Sequence, residues 1–109
     1  MGTMDIGIKT LTREKVKIEE PGLYDVIFLN DNITTQEFVI RVLKQIFSKT
    51  QEQATAIMGK IHNDGQGIVG SYVHEVAEQK GIETTLLARQ ENFPLQVKVK
   101  KQWSYKNTY

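Results

Sequence analysis

The apolar pattern of this chain changes period at three consecutive polar residues, Asn30-Asp31-Asn32, so a strand must hand over to a helix within a few positions. Before them, Tyr24 to Leu29 is rich in aromatic and β-branched residues and reads as a buried strand. After them, Phe38, Val39, Val42, Leu43, Ile46 and Phe47 recur at spacings of one, three and four, which places a wide apolar stripe on one helix face. Thr34 followed three residues later by Glu37 predicts a capping box, with the helix running from Thr35 to about Ser48. The junction itself offers one carboxylate and two amide oxygens, which are good acceptors for a cation and of little use to a hydrophobic core.

The remaining elements follow from the same arguments. A second capping box, Thr50 with Gln53, opens a helix that carries Ala54, Ile57, Met58 and Ile61 on one face and closes at Asn63-Asp64-Gly65. Gly67 to Tyr72 reads as a strand, with Gly70 marking a bulge or a close backbone approach. Val73 to about Gln90 reads as a third helix, which Gly81 in its interior is expected to weaken by roughly 1 kcal/mol relative to alanine. Leu95, Val97 and Val99 alternate with Gln96, Lys98 and Lys100, the pattern of a strand with one buried and one wet face. The order β-α-α-β-α-β, without regular alternation, predicts an α+β two-layer sandwich: a three-stranded antiparallel sheet with three helices on one face.

At 109 residues the chain is expected to form one core. Residues 1–22, broken at Pro21-Gly22, read as a flexible N-terminal arm, residues 23–101 as the globular domain, and residues 102–109 as a C-terminal tail. With Lys+Arg 14 against Asp+Glu 13, no large field of either sign favours nucleic acid. Absence of cysteine excludes disulfides, thiol catalysis and cysteine metal sites, and it fits a reducing, cytoplasmic setting. No apolar run approaches a membrane span, and Ile6 stands where a myristoylation motif after Met1-Gly2 wants Ser or Thr.

Several stretches taken in order, Tyr24-Asp25-Val26-Ile27-Phe28-Leu29-Asn30-Asp31, Glu37-Phe38-Val39, Val42-Leu43, Ala54-Thr55, Met58, His62, Gly65, Gly70, Glu75-Val76-Ala77-Glu78-Gln79-Lys80, Ala88-Arg89 and Pro94-Leu95, resemble the ClpS family. The resemblance covers nearly the whole globular part and implies a fold similar to the C-terminal domain of the ribosomal stalk protein. It further implies an adaptor for a Clp AAA+ unfoldase and its protease, ClpA- or ClpC-like, that recognises N-degron proteins and peptides by a bulky hydrophobic first residue. A cytoplasmic monomer without cofactor is expected.

Such recognition needs converging acceptors for an ammonium, and Asn30, Asp31, Asn32 and His62 are suitable in type, His62 lying one helical turn beyond Met58. The resemblance assigns the hydrophobic pocket to Phe28, Val39, Met58, Ile61 and Leu95, with Thr34 and Gln36 at its mouth. It also implies that Glu75 and Lys80 dock on the N-terminal domain of the unfoldase and that the arm engages the unfoldase during delivery. Two positions depart from the family pattern: Asn32 replaces a usual second aspartate, and Gln36 a usual methionine. Amino-group capture is expected to survive the first change, and selectivity among Leu, Phe, Tyr and Trp to be altered by the second.

Each feature also has a plainer reading taken alone. Asn30-Asp31-Asn32 suits a turn whose side chains bond nearby backbone, His62 a helix end, Met58 and Ile61 ordinary core, and Glu75 to Lys80 a solvated helix face. An enzyme is not expected: two histidines, no cysteine and no nucleophile elbow leave little from which to assemble a triad or metal site. The alternative function is a ribosome or RNA contact through Lys98, Lys100, Lys101 and Lys106 with Trp103 and Tyr105.

Overall fold

The computed structural model describes residues 22–102; the arm to Pro21 and the tail from Trp103 lie outside that range. Six elements follow in the predicted order: β1 (Tyr24–Leu29), α1 (Gln36–Gln45), α2 (Gln51–Asp64), β2 (Gln66–Tyr72), α3 (His74–Gln90) and β3 (Gln96–Lys101). The strands form one sheet in the order β2-β1-β3, with β1 antiparallel to both neighbours. The helices cover one face, giving the expected α+β sandwich.

The central place of β1 explains its composition. Val26 and Phe28 face the helices and are fully buried, in a core they share with Phe38, Val42, Leu43, Phe47, Met58, Ile61 and Leu95. Each large side chain so buried contributes about 1.5–3 kcal/mol. Phe28 meets Phe47 edge-on at 5.6 Å between ring centroids, and Phe38 meets Phe93 at 5.0 Å, which fastens α1 to the loop before β3.

Helix boundaries agree with the sequence where side chains are free to cap and differ where they are not. At α2, Thr50 Oγ1 accepts from the Gln53 N–H at 3.1 Å while Gln53 Oε1 accepts from the Thr50 N–H at 3.0 Å, the reciprocal box expected. Gly65 closes this helix at φ 85°, a left-handed conformation that costs glycine least. At α1 the predicted Thr34–Glu37 box does not form. Both donors of Thr34 are held by Asp31, so the cap moves to Thr35, whose Oγ1 accepts from the Phe38 N–H at 3.1 Å. The helix also stops at Gln45, short of Ser48, which adopts φ 56°.

Gly70 fulfils both readings of its position. Val26 pairs with Gly70 and Ile27 with Ile68, so Val69 is the extra residue of a bulge and turns into the core. A Cβ at Gly70 would fall 2.5 Å from the Tyr72 hydroxyl. Gly81, expected only as a weak point, is buried where α3 lies against β3.

Candidate functional site

The strand-to-helix junction is fixed first by backbone. The Asn30 N–H donates to the Gly65 carbonyl at 2.8 Å, joining the end of β1 to the end of α2 and bringing Met58 and Ile61 beside the polar turn. Asp31 then organises the turn: Oδ1 accepts from the N–H groups of Ile33 at 2.8 Å and Thr34 at 2.6 Å, and Oδ2 from the Thr34 hydroxyl at 2.8 Å. An ionised carboxylate offers about four acceptor positions, so one on Oδ2 stays open. Burial by itself raises the pKa of Asp31, but hydrogen bonds from Thr34 and Ile33 and the positive charge of Arg89 outweigh it and hold the group below the usual carboxylate range. Asp31 is therefore a fixed anion at neutral pH.

Beside this anion lies a recess walled by Phe28, Leu29, Asn30, Asp31, Thr34, Val39, Met58, Ile61 and Leu95. The structure thus brings together Asn30, Asp31 and Thr34 from the polar turn with Phe28, Val39, Met58, Ile61 and Leu95 from the core. The free space inside is only about 10 Å³, enough for one water molecule. Asn32, Gln36 and His62 are exposed and do not line it; His62 sits in the last turn of α2, one turn beyond Met58.

The other two singled-out residues lie elsewhere, on α3. Glu75 is exposed in its first turn. Lys80 is not on a solvated face as the charge pattern suggested. It is half-buried, its Nζ donates to the Ile46 carbonyl at 2.8 Å, and it sits 5.2 Å from the Tyr72 ring centroid and 5.7 Å from that of Phe47. Its ammonium satisfies the carbonyl of Ile46 at the C-terminus of α1, where Ser48 turns left-handed and the Lys49 N–H donates to the Leu43 carbonyl at 3.0 Å.

Two contributors escaped the sequence reading. Leu29, the last residue of β1, adds to the recess wall. Arg89 donates from Nη1 to the carbonyls of Phe93 at 2.8 Å and Leu95 at 2.9 Å, holding the Leu95 wall in place. No local spacing rule links an arginine in the last turn of a helix to carbonyls four and six residues on.

A helical layer on a three-stranded antiparallel sheet, with a recess lined jointly by core residues and by the Asn30, Asp31 and Thr34 turn, defines a small α+β domain. Residues 19–98 match the family described as ATP-dependent Clp protease adaptor protein ClpS. An ATP-dependent Clp protease adapter protein ClpS of Campylobacter jejuni subsp. doylei is 44% identical over 95 residues, 87% of this chain and 99% of that protein. The corresponding protein of Lawsonia intracellularis is 51% identical over 79 residues, 72% of each. Among solved structures, Agrobacterium tumefaciens ClpS2 bound to L-phenylalaninamide superposes with a TM-score of 0.74 at 34% identity, covering 76% of this chain and 100% of that one. The chain belongs to the ClpS family of adaptors of the ATP-dependent Clp protease.

Proposed function

We propose that the recess receives the first residue of a protein destined for degradation, and that the chain delivers it to a Clp AAA+ unfoldase, ClpA- or ClpC-like. One observation carries the reading: Asp31, whose Oδ2 accepts a single hydrogen bond, and the apolar walls of Phe28, Val39, Met58, Ile61 and Leu95 line the same hollow. A free chain start requires both, an anion for its ammonium and a dry surface for its side chain. The ligand of the Agrobacterium ClpS2 structure, L-phenylalaninamide, has this constitution, a free amino group next to an aromatic ring.

In this reading Asp31, Asn30 and the exposed Asn32 and His62 hold the ammonium, while Thr34 and Gln36 stand at the mouth. Hydrogen bonds to a charged group contribute about 1.5–3 kcal/mol each, and burial of a Leu or Phe side chain a similar amount. Micromolar binding needs about 8 kcal/mol, so one residue and its amino group supply much of it. Residues 23–101 act as the adaptor domain and residues 1–22 as a delivery arm. Glu75 is the exposed docking contact for the unfoldase, and Lys80 acts there through the position it gives α3 against α1. The adaptor works as a cytoplasmic monomer without catalysis of its own; among the described residues no helix is long and apolar enough to cross a membrane.

The test compares a peptide beginning with Phe with the same peptide acetylated at its N-terminus, by calorimetry. Acetylation removes the ammonium and keeps the ring, so affinity should fall at least about thirtyfold, equivalent to about 2 kcal/mol. Equal binding of the two would overturn the reading. A further titration, with peptides differing only in a first Leu, Phe, Tyr or Trp, reads the selectivity that Gln36 sets.

A further inference from the structure

A second hollow, a groove of about 280 Å³ that shares no lining residue with the recess, runs between α3 and β3, lined by Ile82, Leu86, Val97, Val99, Gly81 and Glu78. Ile82 and Leu86, one turn apart, are 57% and 61% exposed, among the most exposed large apolar side chains of the described residues. β3 is an edge strand, and the register tells which of its backbone groups are free. Gln102 donates to the Leu23 carbonyl, so in the antiparallel ladder Lys100, Lys98 and Gln96 direct their backbone groups at β1. Val97 and Val99 therefore direct theirs outward, at the edge, while their side chains line the groove. Leu95, in the same phase, has its carbonyl taken by Arg89. Lys98 and Lys100 point to the opposite face of the sheet, and neither forms an ion pair among the described residues. Glu78 stands at one end of the groove and faces His74 at 3.7 Å.

We infer that the β3 edge and the α3–β3 groove together form a docking site for an extended segment of a partner protein in which apolar residues alternate with acidic ones. Such a segment adds a fourth strand: its backbone bonds to Val97 and Val99, its apolar side chains fall over Ile82 and Leu86, and its carboxylates lie across from Lys98 and Lys100. Charge selects this occupant over a second copy of the chain, because a β3–β3 pair would set lysines opposite lysines.

The probe is the peptide acetyl-Glu-Val-Glu-Val-Glu-Val-Glu-amide, whose blocked N-terminus keeps it out of the Asp31 recess, added to the full chain and followed by NMR-detected amide exchange. The expected result is slowed exchange at Val97 and Val99 with little change at Lys98, already bonded to β1. The double variants K98E/K100E and I82D/L86D should each weaken binding roughly tenfold, while a Phe-initiated peptide binds both variants as it binds the parent, showing that the fold and the first site persist. Unslowed exchange at Val97 and Val99 at saturating probe, or variants that bind the probe unchanged, would overturn the inference. So would protection of these two amides without probe: rising with protein concentration it would make a second copy the occupant, and independent of concentration, residues 1–21 of the same chain.

Discussion

Asp31 shapes the turn through three hydrogen bonds and lines the recess, and in the proposed function the same carboxylate also holds the ammonium. The Asp31→Asn variant keeps the shape but loses the charge, and in a Phe-peptide titration it should bind at least about tenfold more weakly, since a charge-assisted bond is worth about 1.5–3 kcal/mol. The same group sets a pH dependence. Its folded pKa lies below the ordinary value of about 3.9, so its contribution to stability is complete above that pH and disappears as the pH falls through the lower folded value. Melting temperatures of parent and Asp31→Asn should differ by a constant amount between pH 7 and pH 5 and converge in stronger acid. Arg89 is also testable at this scale. Replacement by lysine keeps the charge but loses the planar guanidinium that holds the two hydrogens of Nη1 on the Phe93 and Leu95 carbonyls, and should weaken Phe-peptide binding through a displaced Leu95.

Elements were legible from the sequence wherever their ends depend on neighbours in the chain. The Thr50–Gln53 box and the Gly65 cap are local events, and both stand where the pattern placed them. The start and end of α1 were not legible: at the first Asp31 claims Thr34, and at the second Ser48 turns left-handed with no glycine to announce it, while Lys80 caps the Ile46 carbonyl from 34 residues away. The apolar walls of the recess follow from helix and strand periodicity, whereas Arg89 is visible only once α3 and the loop after it are folded together. Two substitutions check the element-scale account by chemical denaturation. Thr50→Ala should cost about 1 kcal/mol by removing the α2 cap. Gly81→Ala should gain up to about 1 kcal/mol, because the new methyl meets Val97 and Val99 at 3.5 Å, ordinary contact, and alanine is the better helix former.

For the molecule as a whole, the middle strand is the first to be made and the last to be completed. β1 is bonded on both sides, yet its partners come from the far half of the chain, Tyr24 pairing with Tyr72 on one side and Lys101 on the other. Its amides should exchange only when the whole domain opens, which hydrogen exchange under native conditions can measure against the outward-facing amides of the edge strands β2 and β3. Fold class was readable because each segment's period agrees with its final place; strand order was not, since nothing local says that the earliest strand lies between the later two.

The recess described above has only about 10 Å³ of free space. In the proposed function a first residue has to wedge Met58 and its neighbours apart, and that spreading subtracts from whatever affinity its contacts supply. Short side chains gain too little from the apolar walls to offset the strain, and a bare amine gains nothing from them at all. On the proposed function, dissolved amines and chains beginning with glycine or alanine are turned away at this threshold, before any of them is weighed for destruction.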